Sequence, residues 1–274
     1  MRILITGNGG MLGMALRSAL KDHELILPKT YQLNVANVEQ VMRYKADFII
    51  HLAAETDHEY CEANPSNCYY VNTIGTANMV KLAKSLDVPI IYLSAASVFD
   101  GKKREPYIYF DEPNPVNHYN SSKYYAELIV QSYKKHYIIR TGWLFGGGAE
   151  LDKKFVNKIL TKIKDGAKTI KVCDDCIGSP TYSVDLARTI NWVATLGIDF
   201  GKYHVVNYGV PVSRHDIAAE IIKAIKMEGL VTIEPCKIDD LKEEFPCKRT
   251  NYEGLQSSFT LRHWKEALHE YLAR

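Results

Sequence analysis

The stretch Arg2-Ile3-Leu4-Ile5-Thr6-Gly7-Asn8-Gly9-Gly10-Met11-Leu12-Gly13 decides the fold. An apolar run ends at glycine, and residues 11–20 then carry apolar side chains at helical spacing, so the segment reads as strand, turn and helix. The glycines fall as Gly-x-x-Gly-x-x-Gly, and each has a task. Gly7 permits the tight turn, Gly10 lets backbone approach a pyrophosphate, and Gly13 lets the helix pack closely on the strand. The helix N-terminus offers unpaired N–H groups to the anion. Gly7, Gly10, Met11, Leu12 and Gly13 are therefore the candidate dinucleotide-binding loop.

The same alternation continues outward. Strands are expected over 24–27, 48–52, 89–94 and 137–140, with helices over 67–86 and 120–135. Strands separated by helices of this length favour a parallel sheet covered on both faces, a Rossmann-type doubly wound α/β fold. Beyond residue 140 the alternation loosens into helices over 154–164, 184–196 and 214–227, strands over 169–172 and 203–207, and a terminal amphipathic helix over 261–272. No low-complexity linker intervenes, so residues 1–274 are read as one unit. Its dinucleotide-binding core takes 1–140 plus about 183–200, and a smaller C-terminal substrate-binding lobe takes about 141–182 and 201–274.

Composition narrows the partners. The 274 residues are 46% hydrophobic, ample for a buried core, and 34 basic residues nearly balance 32 acidic ones. No overall positive field points to nucleic acid or an anionic membrane, which leaves small molecules or sister subunits. The N-terminal apolar run is too short for a signal peptide and no segment reaches membrane-spanning length, so the expected location is cytoplasmic. Six cysteines without a secretory signal read as reduced thiols. Cys173-Asp174-Asp175-Cys176 has the spacing of half a zinc site or a redox pair, but no second Cys pair or nearby His pair completes it, and no metal is expected.

Cofactor choice is read at the end of the second strand, where an acidic residue would bind the adenosine ribose diol. Here the residues are Leu27-Pro28-Lys29-Thr30. With no carboxylate and a cation at Lys29, NADP(H) is preferred and NAD(H) stays open. Further along, Tyr119 and Lys123 stand four residues apart on one helix face, after the fourth strand and a proline-containing loop. A tyrosine beside a nicotinamide can give a proton to a carbonyl oxygen as hydride reaches carbon, and a lysine cation lowers its pKa and can hold the ribose.

Together these pieces resemble the extended short-chain dehydrogenase/reductase superfamily, and within it the dTDP-4-dehydrorhamnose reductase family. Besides the glycine loop, the resemblance is carried by His51-Leu52-Ala53-Ala54-Glu55-Thr56, Val71-Asn72, Ser94 to Gly101, Pro115 to Tyr119 with Lys123, Arg140-Thr141-Gly142-Trp143, Asp175 to Thr181, and Arg249 before the Trp264 to Leu268 segment. It implies reduction of a 4-keto group on a nucleotide-linked 6-deoxysugar for surface polysaccharide, with Tyr119 as proton donor. It also implies that Ala53, Ala54 and Thr56 line the cofactor, and that Trp143 and Arg249 lie near the substrate, the arginine neutralising a phosphate.

Departures from the family pattern bear on the chemistry. Where the family carries Ser-Thr-Asp, this chain has Ser94-Ala95-Ala96, so the hydroxyl that would polarise the carbonyl is missing at Ala95. By analogy with an oxyanion-hole donor, such a loss is worth roughly 10²–10³ in rate. Ser94 and Ser97 are the candidates to compensate, although strand alternation puts Ser94 and Ala95 on opposite faces. The family's aromatic residue is Glu55, its Val-Asp pair is His58-Glu59, its glutamine is Cys176 and its proline is Thr250. The early-helix glutamate that helps some members bind a metal at a dimer contact is Ala15, which leaves a homodimer open only without metal assistance. Two other functions stay open here: a non-catalytic, cofactor-binding regulatory subunit, favoured by Ala95, and another nucleotide-sugar enzyme such as an epimerase.

Overall fold

The computed structural model describes residues 1–243 and 245–274. Six strands form its central sheet: β1 (Arg2–Thr6), β2 (Glu24–Ile26), β3 (Phe48–His51), β4 (Ile90–Ala95), β5 (His136–Thr141) and β6 (Gly201–Val205). Their order is β2-β1-β3-β4-β5-β6, and every pairing is parallel. This is a doubly wound sheet whose strand order reverses at β1, so the crevice for a ligand opens at the carboxyl ends of β1 and β3.

Helices follow the strands: α1 (Met11–Ala19), α2 (His58–Ala63), α3 (Gly75–Leu86) and α4 (His118–Gln131), then α5 (Phe155–Lys164), α6 (Ser183–Leu196), α7 (Arg214–Ala224) and α8 (Trp264–Leu272). The two-residue alternation of the strands sorts the core. Ile3, Ile5, Phe48, Ile50 and Ile139 face Leu12 and Leu16 of α1 and Ile190 of α6. Leu4, Ile49, Ile90 and Ile138 face Met79 of α3 and Ala126 and Val130 of α4. A third core, with Ile159, Ile170, Ile221, Trp264 and Leu268, holds the second half of the chain together beside the sheet.

Two expectations shift. The strand expected over 203–207 runs from Gly201 to Val205, in register with Tyr137 to Thr141, so the sheet takes its sixth strand from the stretch read as lobe. The helix expected over 67–86 is broken into Pro65–Tyr69, a π-helical turn at Tyr70–Ile74, and α3. The break has a visible use. Asn72, in the π turn, donates from Nδ2 to Glu55 O and Ser122 Oγ and accepts from Glu55 N, joining the loop after β3 to α4.

Arg140 on β5 and Glu127 on α4 have fully buried side chains and form an ion pair of 2.7 Å, with a second contact from Arg140 Nε at 2.9 Å. Ser94 of β4 adds its hydroxyl to Glu127. Glu127→Ala would leave a buried guanidinium on the Phe99 ring without its carboxylate, and we expect a loss of about 3–5 kcal/mol in urea unfolding. A loss under about 1 kcal/mol would show that the pair does not hold α4 in place.

Candidate active site

The glycine loop leaves β1 at the switch point and is shaped by contacts no side chain would survive. Gly7 has φ +67°, and a Cβ there would sit 2.7 Å from Ala53 N. A Cβ on Gly13 would lie 2.5 Å from Asn8 Cα, which is why α1 can run so close beneath the loop. Gly10 caps α1 without a side-chain hydrogen bond, and a Cβ added to it would meet nothing nearer than 3.7 Å. Free N–H groups at a helix N-terminus, beside an uncrowded glycine, fit the pyrophosphate of a dinucleotide. Behind the loop, Ala53 N donates to Thr6 Oγ1, Thr6 Oγ1 lies 2.7 Å from His51 Nδ1, and His51 Nε2 lies 3.1 Å from Thr76 Oγ1, which donates to Asn72 O. Burial pushes the His51 imidazole down to about 3, so this chain is neutral and rigid.

On α4, capped by the Asn117 side chain, Tyr119, Lys123 and Glu127 recur every four residues along the buried face. Lys123 Nζ donates to Leu93 O at 2.7 Å and stands 4.3 Å from the centre of the Tyr92 ring. Burial pushes its ammonium down to about 7, against the pull of Glu127. Tyr119 is 8% exposed, with the His58 ring 4.4 Å away. Burial, then the nearby Cys61 thiol, raises the phenol well above its ordinary value. The lowering by Lys123 expected from the sequence is not what the cleft produces: desolvation wins, and the phenol keeps its proton.

Tyr119, Lys123, the glycine loop, Ala54, Thr56, Ser94, Ser97, Trp143 and Arg249 all border one cleft of about 1000 Å³. Ala53 and Lys29 stand outside it: Ala53 backs Gly7, and Lys29 is exposed beyond β2, 6.0 Å from the Tyr31 ring. A second cation, Arg17, reaches the loop by donating to Asn8 Oδ1 at 2.9 Å, while Asn8 Nδ2 donates to Pro28 O. Ser94 spends its hydroxyl on Glu127, whereas Ser97 Oγ is buried with no partner among the described residues.

On the cleft wall, Trp143 is held rather than free. Its Nε1 donates to Glu253, the Arg214 guanidinium lies 4.0 Å from its ring centre, and Gly178 packs so closely that a Cβ would fall 2.4 Å from the indole. Arg249 is ion-paired with Glu59 at 2.7 Å, and Glu59 also accepts from Cys247 N. Lys154 and Arg214 enter the cleft without an acidic partner among the described residues. Sequence reading did not single them out, because only folding brings them to this wall. Cys173, Asp175 and Cys176 bring two thiols and a carboxylate within 4.8 Å of one another.

The family model for the RmlD substrate binding domain matches residues 1–274. The dTDP-4-dehydrorhamnose reductase of Mycolicibacterium smegmatis is 33% identical over 99% of this chain and 85% of its own length. The spore coat polysaccharide biosynthesis protein SpsK of Bacillus subtilis is 30% identical over 99% of this chain and 96% of its own. The crystal structure of dTDP-4-dehydrorhamnose reductase from Bacillus anthracis in complex with NADP superposes with a TM-score of 0.90 at 30% identity, covering 99% of this chain and 98% of that one.

The buried lysine makes stability depend on pH. Lys123 titrates near 7 when folded and near 10.4 when unfolded, so between those values the unfolded chain binds the extra proton and stability rises with pH, by up to about 1.4 kcal/mol per unit. The contribution is complete above the upper value and is lost as pH falls through the lower one. Unfolding free energies of the ligand-free chain should rise less steeply over this window in Lys123→Met than in wild type; equal slopes would contradict the buried, neutral lysine.

Proposed function

The chain belongs to the RmlD substrate binding domain family, and from that premise we propose how its residues serve the family's reaction. It is an NADPH-dependent oxidoreductase that reduces the 4-keto group of a nucleotide-linked 6-deoxysugar, as dTDP-4-dehydrorhamnose reductases do, in polysaccharide synthesis. NADP(H) is its cofactor. The observation that carries the mechanism is the placement of Tyr119 and Lys123 on one buried helix face, bordering the same cleft as the uncapped N-terminus of α1.

NADPH, when bound, supplies the hydride. The glycine loop and the first turn of α1 hold the pyrophosphate, with Ala54 and Thr56 beside it. Lys29, exposed at the end of β2, and Arg17, tied to Asn8, favour a 2′-phosphate over a bare ribose diol. Lys123, fixed on Leu93 O, holds the nicotinamide ribose through its remaining N–H donors. Tyr119, kept protonated by burial, gives its proton to the ketone oxygen. Trp143 walls the sugar subsite. Lys154 and Arg214 offer unpaired charge to the diphosphate, and Arg249 joins them only by sharing its charge with Glu59.

Among the described residues no helix is long and apolar enough to cross a membrane. The cytoplasmic setting, the lack of a nucleic-acid partner and a homodimer without metal assistance belong to the same proposal.

NADPH oxidation with dTDP-linked 4-keto-6-deoxysugars tests the reading. Wild type should turn over, Tyr119→Phe should lose about 10²–10⁴-fold in kcat with NADPH affinity little changed, and NADPH should bind more tightly than NADH. A wild-type chain that binds NADPH and reduces none of these sugars would overturn it.

A further inference from the structure

A ketone being reduced needs its oxygen stabilised as charge develops, and Ala95 has removed the hydroxyl expected to share that task with Tyr119. Of the adjacent serines, Ser94 is committed to the Glu127–Arg140 pair, and the Ser97 hydroxyl is buried. Another polar group borders the cleft beside Tyr119. His58 opens α2 with its ring centre 4.4 Å from that of Tyr119.

Its tautomer follows from its partner. Asn117 Oδ1 accepts from Asn120 N, which fixes the amide so that Nδ2 is the donor; Nδ2 then donates to Lys248 O at 2.8 Å and to His58 Nδ1 at 3.4 Å. With Nδ1 accepting, the imidazole proton is on Nε2, and His58 borders the cleft. We propose that His58 Nε2–H takes the place of the missing hydroxyl, donating a hydrogen bond to the carbonyl oxygen that Tyr119 protonates. His58 transfers no proton itself: the oxygen receives the phenol's proton as hydride reaches carbon, and the imidazole stays neutral.

The surroundings favour that role. Burial, then Arg249, Lys154 and Arg214 around the ring, push the imidazole down to about 3 against the opposing charge of Asp57. It therefore remains a neutral donor across the working range. Its position is fixed as well. Asp57 accepts from Tyr60 N at the start of α2, and Glu59 accepts from Cys247 N and Arg249, so the turn carrying His58 is clamped on both sides.

The inference rests on the ketoreductase reading, and its test separates the two. In wild type, long-range ¹⁵N spectra should show His58 as the Nε2–H form from about pH 5 to about 9; an Nδ1–H form or an imidazolium in that range overturns the inference. His58→Val should lower kcat roughly 10²-fold with KM little changed, as for a lost oxyanion donor, and His58→Gln, which keeps an N–H, should retain most activity. Adding Ala95→Thr to His58→Val should restore kcat, a rescue that a packing role would not give. Equal loss in the Val and Gln variants without rescue overturns the inference, as does a fall in kcat for Ser97→Ala with none for His58→Val. Wild type without turnover overturns the reductase reading and the inference with it, whereas turnover that His58→Val leaves intact overturns the inference alone.

Discussion

The ion pair between Glu127 and Arg140 is the constraint on which the site depends. It lies wholly inside the protein, where desolvation makes a misplaced charge expensive, so its geometry must be satisfied before anything else settles. Its helix partner stands one turn beyond Lys123 and two beyond Tyr119. Fixing Glu127 against β5 and β4 therefore fixes the rotation of the helix about its axis, and with it the direction of the phenol and the ammonium. A further contact to Glu127 comes from Ser94, on the strand whose next residue is Ala95. One buried carboxylate thus sets both the Tyr119 phenol and the end of the strand that carries Ala95.

Burial also decides which groups carry charge. The phenol of Tyr119 is raised and stays protonated, suited to giving a proton away. Lys123 is drawn down to about 7 and His51 and His58 to about 3. What remains charged in the cleft is mostly arginine and lysine at its wall, where a diphosphate would replace lost solvation. The centre is therefore a neutral, hydrogen-bonding surface and the rim a cationic one, a division suited to a nucleotide-linked sugar.

Much of this was legible in the residues. The glycine loop could be read because each glycine answers a local backbone demand next to a strand and a helix. Tyr119 and Lys123 could be read because a four-residue spacing is meaningful once the helix is placed. Lys29 and Ala53 were legible only as positions in a pattern, and they stand behind or beyond the cleft rather than in its wall. The π turn that aims Asn72 was invisible, since an inserted residue leaves the apolar spacing of residues 67–86 almost unchanged. The fate of Ser94 depended on Glu127, a partner 33 residues away, and the lid of Arg214 over Trp143 on a contact made by an unremarkable helix start. Long-range pairing chose among side chains that look equivalent along the chain.

The clamp on Glu59 has a consequence for how the protein comes into being. Its two partners, Cys247 and Arg249, lie 188 and 190 residues further along the chain. Domains emerge and fold from the N-terminus during synthesis, so the glycine loop and the first five strands can form on the ribosome long before these residues are available. The Glu59 contacts beside Tyr119 form only once residues 247–249 have been made. A nascent chain would thus carry its glycine loop before the cleft wall beside Tyr119 is complete.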